Sequence, residues 1–247
     1  MKVCGLLRAF LATALLLVGG CENKKDENVI AFGTSADYPP FEYYENGEMT
    51  GFEIDLAKAV AKKLGKKAEI KDMSFSSLFA GLLDGSVDVV IASTNPTEER
   101  RKINDFTTPY YNTGLAFVHK SGDKVDTSEF TGVRVACQLG SVQEKWLKKN
   151  RPAAEAASID NVAQSVELIK AGRVDGVIVD SAVAATLCSS NPDLTYVVVE
   201  EGASDGDSAM AVKKGSELLN PLNAALKELE DGGELQALKE RWKLTGE

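Results

Sequence analysis

Histidine occurs once in 247 residues, as His119, so the side chain best suited to moving protons near neutral pH is almost unavailable for catalysis. A Gly-rich phosphate loop, a metal-ligand cluster and a nucleophile elbow are missing too, which leaves no signature of nucleotide, metal or acyl-transfer chemistry. Cationic residues are in the minority: 28 Lys and Arg face 37 Asp and Glu, for a formal net charge of −9. That balance argues against nucleic acid as a partner and against charge-driven binding to anionic lipid. The apolar run Ala9 to Val18, broken only by Thr13, is well short of the roughly 20 residues that a spanning helix needs. What the chain does have is 44% hydrophobic content, enough to build packed cores in one large domain or two small ones.

Lys2 and Arg8 flank the apolar start, and residues 1–20 read as a signal peptide. Gly19 and Gly20 directly before Cys21 resemble a bacterial lipobox, which predicts cleavage before Cys21 and lipid attachment there. Residues 21–28 contain no large apolar side chain and read as a flexible, lipidated tether. Removal of residues 1–20 takes Lys2 and Arg8 from the net charge of −9 and leaves −11. Cys4 departs with the signal, so Cys137 and Cys188 remain for an oxidising compartment. A disulfide between them and two free thiols are both open.

The most informative pattern is a repeat. Gly85-x-Val87-Asp88-x-Val90-Ile91-x-Ser93 recurs 87 positions later as Gly172-x-Val174-Asp175-x-Val177-Ile178-x-Asp180. Val87 to Ala92 and Val174 to Val179 are short, mostly β-branched apolar runs, as expected of parallel strands buried on both faces. Amphipathic helical stretches precede both. Strands and helices alternate before and between the copies, so the fold class is α/β with a mainly parallel sheet in each of two lobes. The segments Gly114 to Val118 and Ser208 to Val212 are β-like and are expected to carry the chain across and back, forming a two-crossing hinge over a cleft that closes. Residues 29–115 plus 208–247 then form the first lobe and 116–207 the second. His119 is expected as an exposed residue beside the hinge, and Asn220 as the cap of a helix with Pro221 at its first position.

Ligands of open α/β sheets sit beyond the carboxyl ends of the strands, which makes Ser93 and Asp180 the first two site residues. After Ser93 and Asn95, Thr97 can cap a short helix, and Arg100 lies one turn from that cap. There its planar fork can hold a carboxylate. Asp180 is either a helix cap or an acceptor for an ammonium group. Arg100 and Asp180 would neutralise a zwitterion only when the lobes meet, so an α-amino acid would favour closure by differential contacts. Gly140-Ser141-Val142-Gln143 opens a helix and offers a second anion-friendly turn. Tyr38-Pro39-Pro40-Phe41 is expected as an extended path carrying two aromatics, with Phe41 in the core and Tyr38 and Phe75 at strand-end loops facing a ligand side chain.

Tyr38-Pro39-Pro40-Phe41-Glu42, Gly51-Phe52-Glu53-Ile54-Asp55-Leu56, Thr97 to Arg100 with Asp105-Phe106 and Pro109-Tyr110-Tyr111, and Gly140-Ser141 together resemble the family 3 solute-binding proteins. These are the extracytoplasmic polar amino-acid-binding proteins of ABC importers. The resemblance runs over essentially the whole mature chain and implies a type II periplasmic-binding-protein fold. It assigns Arg100 and Ser141 to the ligand carboxylate with Gln143 nearby, Asp180 to the α-ammonium, Ser93 and Asn95 to polar contacts, and Tyr38 and Phe75 to a side-chain sandwich. Ser35 stands where members selective for cationic or amide side chains often carry Asp, and Asp37 and Glu42 are the nearby acids.

The expected protein is therefore no enzyme and needs neither cofactor nor metal. It is a monomeric, lipid-anchored extracytoplasmic receptor that binds a polar amino acid, a basic one favoured by the acidic neighbours, and hands it to an ABC permease. The competing readings are a cyclohexadienyl-dehydratase-like enzyme on the same fold, and an amino-acid sensor or adhesin that feeds no transporter.

Overall fold

The computed structural model describes residues 26–201 and 207–245; the expected signal peptide and the expected lipidation site at Cys21 lie outside them. Two five-stranded sheets organise the molecule. In the first, Val29–Thr34 pairs in parallel with Lys67–Asp72 on one side and Val89–Val90 on the other, and Ala211–Lys213 runs antiparallel between Val89–Val90 and Asn104–Phe106. In the second, Arg134–Gln138 pairs in parallel with Glu155–Ile159 and Gly176–Asp180, followed by the antiparallel strands Leu115–Lys120 and Leu194–Glu200. Each sheet thus has two parallel and two antiparallel ladders. The antiparallel ones arise where Leu115–Lys120 and Ala211–Lys213 enter from the crossings. Among the described residues no helix is long and apolar enough to cross a membrane.

The repeat occupies equivalent places, the third strand of each sheet, and its aspartates have a structural reason. Asp88 Oδ2 accepts from the amide of Ala31 at 2.9 Å while its own amide bonds the Ala31 carbonyl at 2.7 Å. Asp175 does the same to Arg134, at 2.8 Å in both directions. Each carboxylate secures an amide in the first half of the neighbouring strand, where leaving it unpaired would be costly. The copies differ where Val89 corresponds to Gly176. A Cβ on Gly176 would meet the Phe117 ring at 2.3 Å and the Val118 carbonyl at 2.4 Å, so this strand approaches its neighbour more closely than a side chain allows.

Between the sheets, Tyr111–Asn112 and Asp207–Ser208 pair antiparallel, and Asn112 Nδ2 donates to Asp207 Oδ1 at 2.8 Å. Three sequence expectations need correction here. His119 is not exposed at the hinge: it lies within the strand Leu115–Lys120, is only 6% exposed, and stacks its ring on Phe117 at 5.5 Å. Asn220 is no cap. The helix runs Leu219–Asp231 with Leu218 at the cap position, because Leu222, Ala225, Leu226 and Leu229 are buried along its apolar stripe. Tyr38-Pro39-Pro40-Phe41 is a turn with a cis bond between the prolines, and it joins Asp37–Tyr38 to Glu42–Glu45 in a hairpin.

Cys137 and Cys188 are free thiols. Burial pushes the Cys137 thiol up to about 12, and the thiolate is the reactive form. Iodoacetamide on the native protein is therefore expected to label half-buried Cys188 well ahead of Cys137, with Cys137 modified only after denaturation. Equal native labelling, read by peptide mass spectrometry, would contradict the packing described.

Candidate ligand-binding site

The first wall is built from the end of Val89–Val90. Ser93 takes the left-handed region, at φ 45°, which is uncommon away from glycine and characteristic of constrained sites. Glu53 holds it there. The Ser93 amide donates to both Glu53 carboxylate oxygens at 2.9 Å and its hydroxyl donates to Oε1 at 3.1 Å. Tyr110 adds its hydroxyl to the same oxygen at 2.6 Å. Glu42, expected as a ligand contact, instead faces Glu53 with only 1% of its surface exposed. Burial raises the carboxyls of both residues. Glu42 is displaced furthest, because the Glu53 charge adds to its burial, whereas Glu53 is held back by Glu42, Tyr110 and Ser93. Of the pair, Glu42 is the one driven toward its protonated form, its burial and the facing Glu53 both opposing its charge.

Arg100 follows on the helix Glu98–Ile103, whose cap is Thr97: the Thr97 hydroxyl oxygen accepts from the Arg100 amide at 3.3 Å. Arg101 and Lys102 stay in solvent while Arg100 turns inward, leaving 9% of it exposed. Its guanidinium lies over Phe79 at 4.9 Å and Phe75 at 5.6 Å. Nη1 donates to the Asn95 carbonyl at 3.0 Å and Nη2 to the Gly140 carbonyl at 3.1 Å. Burial lowers it to about 10, so it remains a cation at neutral pH. Among the described residues its hydrogen bonds go to neutral carbonyls, which leaves its charge available to an anion. Asn95 also reaches the hinge, donating through Nδ2 to the Asp207 carbonyl at 3.3 Å.

The opposite wall begins at Asp180. It occupies the cap position of the helix Ser181–Ser190, but its side chain does not cap it. Instead Oδ1 accepts from Gln143 Nε2 at 2.6 Å, and the Asp180 amide donates to the Tyr38 hydroxyl at 2.9 Å. Gln143 also bonds that hydroxyl, at 3.3 Å. Ser141 caps the helix Val142–Asn150, its hydroxyl oxygen accepting from the Glu144 amide at 3.1 Å. The Gly140 amide donates to Glu144 Oε2 at 2.8 Å and the Ser141 amide to the Gln138 carbonyl at 3.1 Å. This turn is more internally committed than its sequence implies. Arg100 touches Gly140 across the cleft, and Tyr38, Gln143 and Asp180 form a second set of contacts across it.

Tyr38 stacks on Phe41 at 6.2 Å while Phe75 lies beneath Arg100. Asp37 and Ser35 bond each other, and Asp37 reaches into the second lobe. Three participants had no individual signal in the sequence: Glu53, which sets Ser93, and Gln138 and the Val162 amide, which receive Asp37. Gln138 was accessible only through its place at the carboxyl end of a strand.

Residues 30–245 match the bacterial extracellular solute-binding proteins, family 3. The chain belongs to this family. Its relatives include the arginine-binding extracellular protein ArtP of Bacillus subtilis (strain 168), 39% identical with 98% of this chain and 97% of that protein covered. The L-cystine-binding protein TcyJ of Escherichia coli (strain K12) is 34% identical, with 90% and 86% covered. The solved structure of an ancestral arginine-binding protein bound to arginine superposes with a TM-score of 0.83 at 39% identity, covering 87% of this chain and 98% of that one. This family 3 protein has the two-lobed periplasmic-binding-protein fold, and its relatives are amino-acid-binding proteins of ABC transporters rather than enzymes.

Proposed function

We propose that this family 3 protein binds a polar L-amino acid, a basic one first, in the cleft between its lobes and delivers it to an ABC permease from a lipid anchor on Cys21. The observation that carries the reading is the charge placement. Arg100, bonded to the neutral carbonyls of Asn95 and Gly140, and Asp180, whose side chain bonds Gln143 rather than capping its helix, touch residues of one short segment, Gly140 to Gln143. A zwitterion matches that pair, with its carboxylate at the guanidinium and its ammonium at Asp180.

Charge balance supports a basic side chain. With Glu42 pushed toward its neutral form, the buried acids Asp37, Glu53, Glu144 and Asp180 outnumber Arg100, the only buried Lys or Arg among the described residues. A zwitterion leaves that imbalance unchanged and a cationic side chain reduces it. The arginine-binding names of ArtP and the ancestral protein point the same way. Thermal-shift and calorimetric titration with the twenty amino acids test the reading, with arginine expected to stabilise most. Stabilisation by none of them would sink it. Delivery is tested by amino-acid uptake in a strain lacking the gene, which is expected to fall.

A further inference from the structure

Asp37 is 3% exposed and accepts four hydrogen bonds. Oδ2 takes the Val162 amide at 2.6 Å and Gln138 Nε2 at 3.2 Å; Oδ1 takes the same Gln138 nitrogen at 3.3 Å and the Ser35 hydroxyl at 3.1 Å. All of these partners are donors, which is the pattern an ionised carboxylate requires. Ser35 braces Asp37 from its own lobe. Gln138 and Val162 belong to the other lobe, one ending the strand Arg134–Gln138 and the other opening the turn Val162–Gln164 after Glu155–Ile159.

The remaining links between the lobes differ in kind. Arg100 and Tyr38 reach Gly140, Asp180 and Gln143, all in the network assigned above to the ligand. Lys145 and Glu99 form an ion pair between side chains that are 52% and 72% exposed, where such pairs contribute little. Among the described residues, Asp37 alone joins a buried charge to a backbone N–H and a side-chain amide that the proposed ligand contacts do not use. Charge-assisted bonds of this kind are the strong ones, and these are made only when the lobes meet.

We infer that Asp37 is a latch: a positioning residue that stabilises the closed cleft from outside the ligand contacts, and so sets how long a bound amino acid is retained. This rests on the proposed function. A latch acts after encounter, so its loss changes dissociation and leaves capture nearly unaltered. Every ligand then suffers alike, because closure is common to all.

The experiment is stopped-flow fluorescence of arginine binding to wild type, Asp37→Ala and Asp37→Asn, with small-angle X-ray scattering of each with and without arginine and circular dichroism to confirm folding. Asp37→Ala is expected to release arginine at least tenfold faster, with an association rate within about twofold of wild type. Asp37→Asn keeps one acceptor for the Val162 amide and is expected to fall between them. The affinity ranking among amino acids should be the same in all three. An unchanged dissociation rate in folded Asp37→Ala or Asp37→Asn overturns the latch, and so does a changed ranking, which would place Asp37 on the ligand side chain. If wild type binds no amino acid, the proposed function fails and scattering alone judges the latch. A larger radius of gyration for Asp37→Ala than for wild type then supports it, and an equal one overturns it.

Discussion

Arg100→Ala is expected to weaken amino-acid binding by about 3–5 kcal/mol, the usual cost of removing one partner from a buried charge pair. The ligand carboxylate would lose a bidentate donor inside a site that has no other buried cation among the groups described. The Gly140 carbonyl would also lose its donor from the opposite lobe, at 3.1 Å, so closure and ligand recognition fail together. Arg100→Lys separates the two. A lysine keeps the charge but cannot serve Asn95, Gly140 and a carboxylate at once, nor lie flat over Phe75 and Phe79. Its loss should be intermediate. Calorimetric titration with arginine decides the matter, and wild-type affinity in Arg100→Ala would refute the assignment.

How far Arg100 was legible from sequence shows what local pattern can and cannot carry. Thr97, Glu98 and Glu99 mark a helix start, and a residue one turn later has a predictable direction relative to that start. Cap chemistry placed Ser141 in the same way, although it did not show that Glu144 occupies the Gly140 amide. The repeat was legible because Asp88 and Asp175 each solve the same local problem, an amide in the first half of an adjacent strand. It did not reveal that its two copies pack differently, since that depends on Phe117, a residue of the strand returning from the hinge.

Contacts made by closure were not legible. Asp37 lies 101 positions from Gln138 and 125 from Val162, and no periodicity fixes which groups face each other across two lobes. Asp37 and Glu42 were grouped as acids near a ligand because they share a loop. The structure sends them in different directions, Asp37 across the cleft and Glu42 inward to Glu53. The turn at Tyr38-Pro39-Pro40-Phe41 separates them, where an extended path was expected. His119 failed for a related reason. Its position just past the expected first crossing argued for exposure, while the strand register opposite Gly176 and Thr195 placed it inside a sheet.

The Glu42 and Glu53 pair leads to the second large effect, on stability rather than binding. Glu53→Ala would strip Ser93 of the acceptor for its amide and hydroxyl and leave the Tyr110 hydroxyl without its 2.6 Å partner. Unsatisfied buried groups cost about 1–3 kcal/mol each, so a loss of about 3–5 kcal/mol is expected in urea unfolding. Glu42→Gln behaves oppositely. Glutamine reproduces the shape of the protonated acid and its donation to Glu53, but never has to discharge a proton. In wild type, the folded protein keeps the Glu42 proton at pH values where the unfolded chain, near the ordinary 4.5, has released it. Protons bound by the folded state then exceed those bound by the unfolded state, so this group's contribution to stability falls as pH rises from 4.5 toward its elevated folded value. The slope approaches about 1.4 kcal/mol per pH unit. Carboxyls held low by cations or local donors, such as Asp105 and Asp175, act with the opposite sign and at lower pH, and they are common to both proteins. The difference between Glu42→Gln and wild type therefore isolates the pair. It should widen in favour of the variant as pH rises above 4.5, while parallel curves would mean that Glu42 ionises in the folded protein as it does in water.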